Sequence, residues 1–547
     1  MVNIKSFLSG LQLKIKNYPD EELLYNSSWI DDLERRYRNI KRIIPKYPVK
    51  VFLGGYINRI NNKVVNDNDL KECIKQRWID HFCHSDDGIK MFMIPIFVLS
   101  NMYDNEVSKL ALDYALLCEN KDNKYWITID SSRITFRTQS GFYSGFYRDR
   151  KKAFKQIAEN GSFIIPSIDK NSLHKKRLCI LTYLLSPSVH NSMQRVAMMF
   201  ANNLSKYYDE TMVISIESCF SSSSECRGAC RSIYNIRSSS KDLRKIQNMF
   251  DNDISVRIAH GKTYTSRLQN AIDILYSFNP EVIVDLTDEY SPLSYFYSKD
   301  YYTAYFPLRG SISSSYFSSL IGNLDNIADF NNKYENIIDA NHVIEWNFPE
   351  YLPTKKDEIT RKEIGIDEQA FIIISIGNHI SYSAAFIDEI CRILVLNASM
   401  VWLLVGSNIP QYLSEKYSEL INKKRIIDWG FEDNLSGLCK SCDVLLRYNT
   451  TGGSGGTAIA AMQGLPIVMT NFVCDASRWL GKDYSHLNSF KELADEIEKL
   501  YGDRSYYDKR QKITLELVNN IIDSPEKWED LNNKLTADYK EWKTYHG

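Results

Sequence analysis

A chain of 547 residues is long enough for three domains of ordinary size, each with a filled core. Its 67 Lys and Arg stand against 68 Asp and Glu, a net charge of −1, so no global basic field points to nucleic acid. No apolar run reaches the roughly 20 residues of a membrane span, and the N-terminus lacks the apolar stretch of a secretory signal. A soluble, cytoplasmic protein is therefore expected.

Residues 1–172 read as mainly helical. Asp31–Ile44, Asp69–Phe82 and Glu106–Cys118 carry apolar residues at helical spacing, and only Tyr125–Ile134 has the composition of a strand. From Lys175 the pattern changes. Arg177–Leu184 reads as a buried strand, then comes the loop Leu185–Asn191 and a helix from about Ser192 to Tyr208. Strands follow at Thr211–Ile216, Glu281–Leu286 and Thr303–Leu308, with a Ser-rich stretch and further helices between them. A second alternating block begins near Phe371. Its predicted strands are Phe371–Ile376, Val401–Val405, Arg425–Asp428, Val444–Tyr448 and Pro466–Thr470. The predicted helices are Ala384–Leu396, Gln411–Ile421, Asn434–Cys442 and Lys491–Tyr501, and Pro525–Trp542 forms an amphipathic tail. Such alternation implies parallel sheets covered on both faces, with ligands at the carboxyl ends of the strands. The fold class is α/β: two tandem Rossmann-like domains after a helical segment, divided as 1–172, 173–345 and 346–547.

The eleven cysteines are odd in number and scattered. Cys226/Cys230 and Cys439/Cys442 are close pairs, but no second pair completes a tetrahedral zinc set, so free thiols and no metal are expected.

The segment with most chemistry is Asn449-Thr-Thr-Gly-Gly-Ser-Gly-Gly-Thr-Ala-Ile-Ala-Ala-Met-Gln-Gly-Leu-Pro466, leading into an apolar strand. Glycines at 452, 453, 455 and 456 leave few side chains in the way of the backbone. Its N–H groups can close on an anion at the start of the next helix, where unpaired donors and the dipole favour negative charge. A flexible turn without a ligand is the plain alternative.

This order of elements, with Gly464-Leu-Pro466 after the glycine loop, resembles the GT-B glycosyltransferases, in particular bacterial polysaccharide or protein glycosyltransferases. Ile376-Gly-Asn378, Asp428-Trp-Gly430 and Cys474-Asp-Ala-Ser-Arg-Trp-Leu-Gly481 agree with it, over about residues 175–520. The resemblance implies transfer of a sugar from a nucleotide-sugar donor, a UDP-sugar being expected, without a metal. The diphosphate would lie against Gly453, Ser454, Gly455, Gly456 and Thr457 and the turn Gly377-Asn378-His379. The base would meet Gly430, Phe431 and Glu432, Arg447 would supply a cation, and Asp475 would accept from a sugar hydroxyl or cap a helix. Relatives often place an acidic residue on the ribose five positions before the Gly of Gly-x-Pro; here that position is Ile459.

In the first block, His190 is a candidate general base on the acceptor, its pKa lying near working pH, or a loop histidine bonded to its own backbone. Asp288, with Glu289, is a second candidate, or a dipole partner at the helix start Ser291-Pro292. Arg309-Gly310 lines the acceptor side or lies in a surface ion pair. The expected acceptor is a surface glycan or a protein, because some bacterial protein glycosyltransferases carry a helical domain ahead of the GT-B pair. An oligomer or partner contact through residues 1–172 and a peripheral membrane association stay open. The alternative function is a catalytically degenerate binding subunit of a glycosylation complex.

Overall fold

A computed structural model describes residues 18–43, 49–64, 67–100, 102–119, 124, 127–128, 143, 145–168, 175–182, 185, 192–216, 240–251, 253–261, 263–287, 291–307, 316–322, 342–349, 357–377, 382–406, 409–448, 454–470, 476–480, 484 and 487–546. The chain forms two compact units: unit 1 comprises Met1–Tyr305 and Ser313–Ser318, and unit 2 comprises Phe306–Ile312 and Ser319–Tyr545.

Unit 1 opens with helices α1 (Asp20–Tyr25), α2 (Ser28–Ile43), α3 (Val49–Val64), α4 (Asn68–His84), α5 (Asp87–Leu99), α6 (Asn105–Leu117) and α7 (Phe146–Asn160). Three of them start on an aspartate cap. Asp67 accepts from Leu70 N at 2.8 Å, Asp86 from Ile89 N at 2.9 Å and Asp104 from Val107 N at 3.1 Å. Each cap satisfies a donor that the helix itself cannot pair. Ile74, Trp78 and Phe82 of α4 lie one turn apart and are buried. In α5 every residue from Met91 to Val98 is buried, as expected of a helix that is apolar all round.

The strand expected at 125–134 is not found among the described residues. Ile127 and Thr128 are helical, and Thr128 Oγ1 donates to Lys124 O at 2.7 Å. Both side chains are buried, so packing overrides the β preference of a Trp/Thr/Ile run.

The sheet of unit 1 uses β1 (Arg177–Thr182), β2 (Glu210–Ser215), β3 (Ile254–Ile258), β4 (Val282–Asp285) and β5 (Tyr302–Tyr305) in the order β3-β2-β1-β4-β5. All pairings are parallel, with Leu178 of β1 opposite Thr211 on one side and Val282 on the other. Helices α8 (Ser192–Leu204), α9 (Ser240–Gln247), α10 (Tyr264–Phe278) and α11 (Ser291–Asp300) intervene. Strand β3 was not legible in the sequence; its central residues are half-exposed, so it lacks a buried apolar run. One apolar cluster runs from Trp29, Trp78 and Phe97 through Phe154 and Ile157 of α7 to Leu181, Ile214, Leu293 and Tyr297.

Unit 2 contains the parallel pair β6 (Ser319–Gly322) and β7 (Val343–Glu345), and a five-stranded parallel sheet. That sheet is built from β8 (Phe371–Ile376), β9 (Met400–Val405), β10 (Ile426–Gly430), β11 (Val444–Arg447) and β12 (Ile467–Met469), in the order β10-β9-β8-β11-β12. Helices α12 (Arg361–Ile364), α13 (Ala384–Leu396), α14 (Gln411–Lys416), α15 (Ser418–Asn422), α16 (Leu435–Lys440), α17 (Ser454–Met462), α18 (Ser477–Leu480), α19 (Phe490–Gly502), α20 (Arg504–Asn519) and α21 (Pro525–His546) complete it. Ile373, Trp402, Leu404 and Leu446 enter one core with Phe386 and Ile390, while Ile372, Ile374, Leu403 and Leu445 enter a second with Ala458 and Ala461. The two-residue period of the strands thus feeds a core on each face.

In α21, Trp528 is fully buried, with its ring 5.2 Å from that of Trp346 and 6.3 Å from that of Phe348. Trp346 Nε1 donates to Lys527 O at 3.0 Å, and Ser319 Oγ donates to Asp538. Cys439 and Cys442 are free, buried thiols, and burial pushes the Cys439 thiol up to about 12. The Cys226/Cys230 pair lies outside the described residues. Among the described residues no helix is long and apolar enough to cross a membrane.

Candidate functional site at the switch point of unit 2

Strand β8 opens the second sheet; β9 and β10 follow on one side of it and β11 and β12 on the other. The connections therefore diverge between β8 and β11, and in doubly wound sheets the ligand crevice lies outside the carboxyl ends at such a point. Gly377 follows β8 there, while Arg447 ends β11 and precedes the loop into α17.

Helix α17 begins at Ser454, and small residues allow its first turn to approach the sheet. A Cβ on Gly456 would stand 3.2 Å from Ile376 Cγ2, so glycine sets how closely this turn meets the end of β8. A Cβ on Gly455 would meet no heavy atom within 4 Å among the described residues, which leave that face of the turn open. Arg447 is only 8% exposed, and its guanidinium Nη1 donates to Thr457 Oγ1. This joins the cation at the end of β11 to the first turn of α17. The site thus combines the backbone N–H groups of a helix start with a guanidinium, a chemistry suited to a diphosphate.

Two contacts that support this turn escaped the sequence reading. Trp479 Nε1 of α18 donates to Ser454 Oγ at 3.2 Å. Beneath the crevice, Trp402 Nε1 donates to the buried Ser375 Oγ at 3.0 Å, and Ser375 Oγ donates to Leu446 O at 3.0 Å, so β8, β9 and β11 are pinned together. The single serine in Phe-Ile-Ile-Ile-Ser-Ile was the available signal, since a buried hydroxyl needs partners.

At the end of β10 the register with β9 shifts between Asp428 and Gly430. Gly430 has φ +77°, a left-handed conformation that favours glycine, and it leads into Phe431, which is 65% exposed. Gly430 N donates to Asp428 Oδ1 at 3.2 Å, and Gly430 O accepts from Gly406 N at 2.7 Å. Glu432 is engaged on both oxygens, accepting from Asn434 N at 2.5 Å and Trp429 Nε1 at 2.9 Å. Gly377 N donates to Val405 O at 2.9 Å, so this N–H extends the ladder of β8.

Of the residues singled out in the sequence, Arg447 and Thr457 are brought into contact, and Ser454, Gly455 and Gly456 share the same turn. Gly377 stands at the neighbouring strand end, whereas Gly430 and Phe431 stand at β10, two strands from β8 in the sheet order. Asn378, His379, Gly453 and Asp475 lie outside the described residues, as do His190, Asp288, Glu289, Arg309 and Gly310 of the first block. In that block the order also diverges, between β1 and β4. There the buried Asp285 ends β4 and accepts from Tyr297 Oη at 2.9 Å and Thr287 N at 2.9 Å. Ile459 is half-buried and packs against the apolar cluster containing Ala458 and Ala461. No group of three or more His, Cys, Asp or Glu among the described residues could hold a metal ion.

No protein-family model matches the chain, and no curated protein matches it in sequence. Solved structures do match in shape. The Anabaena protein HepE in complex with UDP is 11% identical with a TM-score of 0.47, over 66% of this chain and all of that one. A Thermobaculum terrenum O-GlcNAc transferase mutant is 11% identical with a TM-score of 0.46, over 96% of this chain and all of that one. A glycosyltransferase from Rickettsia africae is 14% identical with a TM-score of 0.47, over 67% of this chain and 98% of that one.

Proposed function

We propose that this protein is a nucleotide-sugar-dependent glycosyltransferase whose unit 2 holds a UDP-sugar by its diphosphate. The observation that carries the reading is the meeting of Arg447, Thr457 and the glycine turn of α17 at the switch point of the second sheet. When the anomeric C–O bond breaks, negative charge develops on the leaving diphosphate. Backbone N–H groups of α17 and the Arg447 guanidinium offset that charge without a metal ion. The exposed Phe431 beside Gly430 offers a ring face to the base. His190 and Asp288, which follow β1 and β4 in the chain, are the proposed bases for the acceptor hydroxyl or amide. Residues 173–345 take the acceptor, a glycan or a protein, and residues 1–172 recognise it or a partner.

Titration with UDP and UDP-glucose, followed by thermal unfolding, tests the donor site. A ligand at a hundredfold excess over its Kd stabilises the fold by about 2.7 kcal/mol. No shift with any nucleotide would remove the reading. Gly455→Ala sharpens this test. The new methyl meets no heavy atom within 4 Å among the described residues beyond its own turn, and alanine is favoured over glycine in a helix by up to about 1 kcal/mol. The variant is expected to unfold at the same or a higher temperature while UDP affinity drops about tenfold or more from the methyl in the phosphate path. Unchanged affinity by calorimetry would place the phosphate elsewhere.

A second reading is a binding subunit that holds a nucleotide without turnover. Ile459 favours it, because this half-buried side chain packs against the apolar cluster and offers the ribose no carboxylate. Donor hydrolysis and transfer separate the two: binding without either reaction supports the subunit.

A further inference from the structure

Away from the switch point, unit 1 carries three lysines around two tyrosine rings. Lys151 and Lys155 stand one turn apart on α7, and Lys299 stands on α11. The Lys151 ammonium lies 4.3 Å from the ring centroid of Tyr316, the Lys299 ammonium 4.1 Å from that of Tyr295, and the Lys155 ammonium 5.9 Å from the same ring. The two rings meet edge to face at 5.5 Å. Tyr316 is held in place by its backbone N–H, which donates to Ser294 Oγ of α11 at 2.8 Å.

The charge here is unbalanced. Among the described residues the carboxylate that reaches the patch is Glu159, which pairs with Lys155 at 3.6 Å and accepts from Tyr295 Oη at 3.2 Å. Asp149 and Asp300, on the same two helices, accept from Tyr143 Oη at 3.0 Å and Tyr276 Oη at 2.6 Å. Lys151 is half-buried, with no carboxylate within ion-pair reach among the described residues, and burial alone lowers its pKa. A ring face covers one side of an ammonium but accepts no second or third hydrogen bond. Partial burial leaves the Lys151 ammonium less well solvated than a free lysine, and an oxyanion would supply a charged acceptor there.

We propose that Lys151, Lys155 and Lys299, framed by Tyr295 and Tyr316, form a binding site for the oxyanion group of a ligand other than the nucleotide, a phosphate monoester or a carboxylate. The site stands on unit 1 alone and is independent of the donor reading.

The test uses the full chain at fixed ionic strength, with inorganic phosphate and malonate as probes and chloride as the control. The rate of acetylation of Lys151 by acetic anhydride is read by peptide mass spectrometry. Reaction needs the neutral amine, and a bound anion favours the charged form, so phosphate or malonate should slow modification of Lys151 about tenfold. The more effective of the two probes identifies the group. Lys423, an exposed lysine paired with Glu419, should be unaffected. Lys299→Gln, a surface change, should weaken the protection of Lys151 while leaving the melting temperature unchanged. Equal slowing by chloride, full protection in Lys299→Gln, or protection by UDP as strong as by phosphate would each overturn the site. Absence of UDP binding with phosphate protection intact would count against the donor reading alone.

Discussion

Trp528→Ala is expected to lower the stability of unit 2 by about 3–5 kcal/mol, the cost of emptying a fully buried aromatic position. The indole sits in a cluster with Trp346 and Phe348, and its Nε1 donates to Asp523 Oδ1 at 2.6 Å. Truncation would therefore leave a cavity and an unpaired carboxylate together. Trp528→Phe restores most of the volume and loses only the hydrogen bond, so it should cost about 1–3 kcal/mol. Urea unfolding followed by circular dichroism measures both. Equal midpoints for the two variants would mean that the hydrogen bond, and not the ring packing, holds α21.

Arg447→Met should weaken UDP binding by roughly 10- to 100-fold, the range of a charge-assisted hydrogen bond worth about 1.5–3 kcal/mol. Methionine keeps the apolar length of the side chain, so the buried end of β11 stays filled. Arg447→Lys keeps the charge but loses the planar fork that reaches Thr457, and should fall between wild type and Met. Calorimetric titration gives the affinities, and the melting temperature of each variant reports whether the turn of α17 survives. If both variants bind UDP as wild type does, Arg447 serves only to fix Thr457.

The fold around the turn of α17 was largely legible because its signals are local. Gly456, which sets the approach of α17 to β8, lies in a run of closely spaced glycines. Gly464, with φ +79°, ends that helix as a left-handed residue, and Leu465 N returns to Ala460 O at 3.2 Å. Pro466 then enters β12, where its carbonyl accepts from Leu445 N at 3.0 Å. Chain order alone announces such a strand–turn–helix–turn–strand unit. Trp479 and Ser454 are 25 residues apart, and Trp402 and Ser375 are 27 apart. Neither pair has a period or a motif, so only the folded sheet brings them together. Strands β6 and β7, at four and three residues, are too short to show a two-residue alternation. At Ile127 and Thr128 the local preference pointed to a strand, and burial decided otherwise.

The apolar cluster of unit 1 makes no break where the helical segment gives way to the sheet: Phe154 and Ile157 of α7 belong to the same core as Leu181, Ile214 and Tyr297. A chain cut at residue 172 would strip these partners from α10 and α11 and expose their apolar faces to water. Unit 1 should therefore melt in one cooperative transition, with the slowest-exchanging amides of α4 and β1 opening together. The helical segment is not a detachable cassette. A new specificity in residues 1–172 would have to arise by changing its outward side chains, since exchanging the whole segment would also remove a wall of the core.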